Sequence, residues 1–450
     1  MANIYFLIDE LNRDAIVASA LKKKFAQKGH NLVYGNRASN RLLKYFHQAF
    51  DVIVFPRPHL IYDNWGDDWL AWSARFVTLS TESLGIICKD HQVMAKTLLD
   101  REYFEGKRKY VERIDALCFW GSKQLQAVKD YAPEVSHKCH VVGHPRHDAL
   151  CVNRGKEKKT ERLGGKKAIG VITRAVALND YFKRSSLDCY ANLFDGHVNF
   201  EFHNKVTGEK LPSKRSGVSP GNMLVVQAID VENTLKIISR LLQTGHLVSL
   251  RIHPKEDSDI WRDILRRCHL SASISDSTLP ITDWLQGLDY LFGPPSTSFY
   301  DGVMLGVTPI SICNLDSRRK ASIGELWEEN NRLMGHVFKP DTIEDLLQYI
   351  DDQARNVDSP EILNILQEEA NFPTCTNALD RVVDVCLAEA SNTRRTGLML
   401  LSFKAIRPVY FAAWRVMNFL LGRKENSAMF AMSLKKIRFI DDLSSTISTE

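Results

Sequence analysis

Short apolar runs recur along this chain, separated by segments of helical period, and that alternation limits the fold more than any other feature. Ile4 to Ile8 reads as a first buried strand, Asn31 to Tyr34 as a second, Val52 to Phe55 as a third and Phe76 to Leu79 as a fourth. Ala116 to Trp120 and Cys139 to Val142 add two more. Asp14 to Lys28 has the period of an amphipathic helix and stops at Gly29-His30. Strands that alternate with helices predict a doubly wound parallel sheet.

A second series follows. Residues 152–167 are polar, basic and glycine-containing, the composition of a linker. Beyond them Ala168 to Thr173, Met223 to Gln227, Leu247 to Ile252, Leu288 to Phe292 and Thr308 to Ile312 read as strands, with 181–220 as an insertion and helices at about 343–355 and 360–370. With 450 residues the chain exceeds one ordinary core. The expected organisation is α/β: a Rossmann-like acceptor domain over 1–151, the linker, a Rossmann-like donor domain over 168–355, and C-terminal helices with a basic amphipathic tail over 356–450. Two parallel-sheet domains so joined make a GT-B architecture, with a cleft expected between facing strand ends.

Composition narrows the setting. Hydrophobic residues at 44% and charged residues at 25% suit a soluble globular protein, and a net charge of +5 is too small to call for nucleic acid. Nine scattered cysteines without a CxxC pair suit reduced thiols in a cytosol. Cys139, His140, His144 and His147 lie close in sequence, but their spacing fits no standard zinc pattern, so no metal site is expected. The N-terminus reads as a strand and not a signal peptide, which predicts a cytoplasmic protein. Residues 390–440 interleave Lys404, Arg407, Arg415 and other cations with Phe403, Trp414 and Phe419, opposed only by Glu425. No apolar run there approaches the roughly 20 residues needed to cross a bilayer. The tail reads either as a helix lying on an anionic inner-membrane surface or as one packed back on the domains with a solvated basic face.

Chemistry-bearing residues collect where strands end, which is where open α/β sheets bind ligands. Leu247 to Ile252 runs into His253-Pro254. The proline fixes the exit of the strand and the imidazole can pair with a phosphate. Arg251 and Lys255 add positive charge, and Glu256 can orient the histidine or bind a sugar hydroxyl. Leu288 to Phe292 ends in Gly293-Pro294-Pro295-Ser296-Thr297-Ser298, where Ser296, Thr297 or Ser298 can cap a helix and bind an anion. Asp301 suits the first turn of that helix. Thr173-Arg174 and Arg146 stand at other strand ends and can meet donor phosphate or acceptor. Glu82, after Ser80-Thr81, is a candidate general base and equally a neighbour of a helix cap; Asp230 is a second candidate. Asp9, Glu10 and Arg13 can contact the acceptor or simply start a helix. No GxxxxGK[ST], no GxGxxG and no DxD occurs, so an NTPase, a nicotinamide enzyme and a metal-bridged donor diphosphate are all unsupported. Histidine, arginine and hydroxyls must then neutralise the leaving phosphate.

FLIDELNRD (6–14), STESLG (80–85), VVGHPRHDAL (141–150), LRIHPKEDSDIW (250–261) and GPPSTSFYDGVMLG (293–306) together resemble the motifs of bacterial surface-carbohydrate biosynthesis proteins with GT-B folds. The histidine-proline and Ser/Thr pair also resembles bacterial sialyltransferases and capsule Kdo transferases. That resemblance implies a CMP-activated sugar as co-substrate with no further cofactor, His253 with Ser296 to Ser298 on the donor, and Glu82 serving a glycan or lipid-linked acceptor. The chain departs from those motifs at Glu82-Ser83-Leu84-Gly85, at His144 in place of asparagine, and at Ile252 before His253. A further resemblance, carried by ITDWLQGLDYLFGPPSTSFYDGVMLG, is to teichoic-acid polymerases that use CDP-glycerol, although their N-terminal histidine motif is not evident. A non-catalytic scaffold of a polysaccharide assembly complex is the reading from a different class.

Overall fold

A computed structural model of the protein describes residues 1–8, 11–35, 37–56, 65–80, 89–99, 108–154, 165–180, 183, 185–187, 189, 201–203, 210–212, 220–275, 281–323, 331–352, 357–373, 377–390 and 397–420. Two compact units result, one of Met1–Ile86, Asp90–Ala149 and Glu368–Glu450, the other of Ile87–Lys89 and Leu150–Gln367.

The first unit is built on six strands: β1 (Asn3–Leu7), β2 (Asn31–Gly35), β3 (Val52–Phe55), β4 (Arg75–Leu79), β5 (Ala116–Phe119) and β6 (Cys139–Val141). They pair in the order β2-β1-β3-β4-β5-β6, every pair parallel. Alternation along β1 sends Ile4 and Phe6 to one face, where they meet Val17, Leu21 and Phe25 of the helix Leu11–Gln27. Val382, Val383 and Cys386, from the helix Ala378–Ala390, complete that same core. These residues therefore belong to the first unit, not to a separate tail beginning at 356. The reason is local and specific. A Cβ on Gly121 would stand 2.1 Å from the Glu368 carbonyl oxygen, so only glycine admits that backbone. The Gln124 amide donates to the Glu369 carbonyl at 2.9 Å, and the Asp148 carboxylate accepts from the N–H groups of Ala378 and Leu379, each at 3.0 Å. On the other face of β1, Tyr5 and Phe50 pack edge-on against Phe403 of the helix Gly397–Leu420.

The second unit carries β7 (Ala168–Ile172), and two short strands, β8 (Glu201–His203) and β9 (Lys210–Pro212), that pair antiparallel inside the expected insertion. β10 (Leu247–Arg251), β11 (Ser273–Ser275), β12 (Tyr290–Gly293) and β13 (Thr308–Ser311) join β7 in an all-parallel sheet ordered β11-β10-β7-β12-β13. One expected strand is wrong. Met223 to Gln227 lies inside the helix Pro220–Gln243. Val226, Ile229, Asn233, Ile237 and Leu241 are buried at helical spacing, and that period outweighs the short apolar run Met223 to Val226. The helices Ile343–Asp351 and Pro360–Ala370 form where expected.

Candidate nucleotide site at the carboxyl edge of the second sheet

In the order β11-β10-β7-β12-β13 the chain runs outward from β7 in one direction through β10 and in the other through β12. The strand order reverses between β7 and β12, and the carboxyl ends beside such a reversal form a ligand crevice. Neighbouring strands lie about 5 Å apart, so the ends of β10 and β12, on either side of β7, are roughly 10 Å apart. Three groups of candidates thus share one edge: Thr173 and Arg174 after β7, His253 to Glu256 after β10, and Pro295 to Ser298 after β12.

The close approach of these strands is set by Gly293. A Cβ there would lie 2.2 Å from Ile172 Cγ1 and 2.9 Å from the Ile172 carbonyl oxygen. His253 is half-buried; its N–H donates to Thr173 Oγ1 at 3.0 Å, and its Nδ1 accepts the Lys255 N–H at 3.2 Å. With Nδ1 so engaged, the neutral ring carries its proton on Nε2 and presents a donor there. Pro254 and Lys255 are exposed, and Arg174 is half-buried.

Glu256, read from the sequence as orienting the histidine or binding a sugar hydroxyl, takes a different role. It is buried and accepts from the Ala175 N–H and from the Trp261 indole N–H, both at 2.7 Å, and from Thr173 as well. Burial pushes its carboxyl above the ordinary value. The residue therefore ties the loop after β7 to the loop after β10 and to the helix Ser258–Arg267. Gln227 adds a second tie by accepting the Ala177 N–H at 2.8 Å. The Arg251 guanidinium reaches Ser275 Oγ, at the end of the neighbouring strand β11, at 3.2 Å and lies 5.9 Å from the centre of the Trp284 ring.

Ser296, Thr297 and Ser298 are half-buried, and Pro295 is buried. Thr297 occupies the cap position of the helix Ser298–Met304 but has helical torsions (φ −58°, ψ −24°) and makes no side-chain cap. A capping side chain needs an extended backbone to reach the next N–H groups. Ser296 takes that role instead, its Oγ accepting the Ser298 N–H at 3.2 Å. Asp301 is buried in the first turn.

Asp230 sits in the helix Pro220–Gln243 and not after a strand. It forms a 2.9 Å ion pair with Arg319, with both side chains nearly inaccessible (5% and 2% exposed). A carboxylate so committed is a brace, and the pair joins this helix to Ser317–Ile323.

In the first unit, Asp9, Glu10 and Glu82 lie outside the described residues, as does the side chain of Arg13. Arg146 is half-buried, with its N–H on His144 Nδ1 at 3.0 Å. His144 and His147 lie close in sequence to Cys139 in a spacing that fits no metal site. They pack on Trp120, with ring centroids at 4.7 and 5.6 Å, and Trp120 donates to the Ser80 carbonyl at 2.7 Å. Desolvation holds His147 well below the usual imidazole range. Among the described residues no three His, Cys, Asp or Glu side chains converge as metal ligands.

No protein-family model matches the chain, and no curated protein does. Among solved structures it is similar to a histidine variant of the wall teichoic acid polymerase TagF, with a TM-score of 0.50 at 13% identity over 86% of this chain and 89% of that one. It is also similar to S. aureus MnaA bound to UDP (TM-score 0.49, 11% identity, 88% and 99% covered) and to UDP-GlcNAc 2-epimerase from Neisseria meningitidis bound to UDP-GlcNAc (0.45, 12%, 86% and 99%). The fold shared with the polymerase is GT-B, two all-parallel Rossmann-like domains.

Proposed function

We propose that this protein is a metal-independent glycosyltransferase of bacterial surface-polysaccharide synthesis. It takes a sugar from a CMP-linked donor and passes it to a glycan or lipid-linked acceptor. The observation that carries this reading is the meeting of His253, Arg174 and the Ser296 to Ser298 hydroxyls on three adjacent strand ends at the reversal of strand order. An acceptor hydroxyl attacks the anomeric carbon, and the bond from that carbon to the CMP phosphate oxygen breaks. The departing oxygen keeps the electron pair, and donors at this edge stabilise it. The acceptor proton goes to a carboxylate, for which Glu82 is the candidate. A lipid-linked acceptor places the enzyme at the cytoplasmic face of the inner membrane.

The polymerase fold favours a second reading, transfer of glycerol phosphate from CDP-glycerol. There the bond between the two phosphates breaks, and the leaving group is again CMP. A thermal-shift panel with CMP, CDP, UDP, GDP and dTDP tests both. A ligand at 100 times its Kd stabilises by about 2.7 kcal/mol. A selective CMP response that disappears in His253→Ala supports the sugar transferase, and a CDP preference moves the assignment to glycerol phosphate. No response to any nucleotide leaves the scaffold. In an activity assay His253→Ala should raise the barrier by about 2–4 kcal/mol; a rate within threefold of wild type overturns its role.

A further inference from the structure

The helix Gly397–Leu420 has two apolar faces, and the described residues cover only one. Leu400, Phe403 and Arg407 recur at helical spacing on the covered face. Leu400 and Phe403 are buried, and Arg407 donates to the Tyr34 carbonyl at 2.8 Å. Phe403 enters an aromatic nest with Tyr5, Phe46 and Phe50, at centroid distances of 5.2–6.1 Å. The opposite side presents Leu401, Ile406 and Val409, which are 65%, 43% and 68% exposed, with Ala405 and Ala412 exposed between them and Lys404 at the border. A stripe of that width belongs on a buried helix, yet none of the described protein buries it.

Position and charge say what covers it. Phe403 packs beside Tyr5, in the middle of β1, and beside Phe50, just ahead of the start of β3. One turn later Arg407 reaches Tyr34, one residue short of the carboxyl end of β2. The helix thus runs toward the carboxyl edge of the first sheet, and its remaining 13 residues carry it roughly 20 Å further. Across residues 397–440 eight Lys or Arg stand against the single carboxylate Glu425. A second copy would bring the same net positive charge from this part of the chain, whereas an anionic surface complements it. No described helix is long and apolar enough to cross a membrane.

We propose that the Leu401/Ala405/Val409 stripe lies flat on an anionic lipid leaflet and holds the carboxyl edge of the first sheet against it. This rests on the membrane location proposed above and is independent of the nucleotide. The full-length protein should co-sediment with vesicles of equal parts phosphatidylglycerol and phosphatidylcholine, less with phosphatidylcholine alone, and less again as salt rises. Leu401→Asp with Val409→Asp should lower the partition coefficient by about tenfold or more at an unchanged melting temperature. Leu401→Ser with Val409→Ser serves if the charged pair perturbs folding. If wild type fails to bind, the location and the stripe both fall. Undiminished binding by the double variants overturns the stripe alone. Light scattering that shows a wild-type dimer, made monomeric by the same changes, assigns the face to a second copy and overturns the lipid.

Discussion

Glu256 joins local chemistry to site geometry through three hydrogen bonds, from Ala175 N–H, Trp261 Nε1–H and the Thr173 hydroxyl. Glutamine offers one acceptor oxygen and sets an amide NH2 against donors, so one of these is left unpaired in a buried place. Glu256→Gln should cost about 1–3 kcal/mol. Because burial raises its pKa from 4.5, the folded state holds a proton that the unfolded chain has released. The stability this residue contributes is present below pH 4.5 and fades as pH rises toward its folded value. Denaturation midpoints measured across that range should fall with pH in wild type, and that component should be missing in Glu256→Gln. Identical pH slopes would show that the carboxyl is not held as described. The sequence offered Glu256 for orienting His253 or binding a sugar hydroxyl, whereas the structure buries it against Ala175, Thr173 and Trp261. Its true partner, Trp261, lies five residues on, and only the turn after β10 and the start of the next helix bring the two together.

At the scale of elements, the buried strands were legible because a buried parallel strand is a bounded apolar run, whereas β11, a short edge strand of Ser273, Ile274 and Ser275, has no such run and was not read. Ends shifted by a residue or two, and Thr173 and Ile252 fell just outside β7 and β10. Met223 to Gln227 failed because a short apolar run inside a long helix looks the same as a strand until the period beyond it is counted. The cap at Ser296 rather than Thr297 was illegible for another reason, since it depends on backbone torsions that composition does not reveal. Gly293 gives a test at this scale. Its missing Cβ lets the end of β12 sit against Ile172, and the obstruction includes backbone as well as a side chain. Gly293→Ala should cost about 1–3 kcal/mol through overpacking and should displace Ser296 to Ser298 from His253. Denaturant melts and CMP titration should therefore worsen together. Unchanged affinity with lowered stability would separate the strand contact from the site.

For the whole molecule, local period says least. Val382, Val383 and Cys386 join a core begun by Ile4 and Phe6, and no window of sequence links residues so far apart. The same distance hid the role of residues 368–390, which close the first unit while the chain just before them belongs to the second. A truncation experiment follows from that arrangement. A chain ending at residue 390 keeps the helix Ala378–Ala390 and loses Phe403 from its aromatic nest, a loss of about 3–5 kcal/mol by analogy with large-to-small core substitution. A chain ending at residue 373 loses Val382, Val383, Cys386 and the partners of Asp148, with buried side chains contributing about 1.5–3 kcal/mol each. That sum rivals the roughly 5–15 kcal/mol by which a folded protein is stable, so the first unit should not survive it. Hydrogen exchange read by unit is the measurement. Amides of β1, β3, β4 and β5 should lose protection in the chain ending at 373, while those of β7, β10 and β12 keep it. In the chain ending at 390 both sets should stay protected, the first with a lower opening energy. Protection of β1 without the helix Ala378–Ala390 would mean that the first sheet holds its core unaided, and that this helix is attached to it rather than part of it.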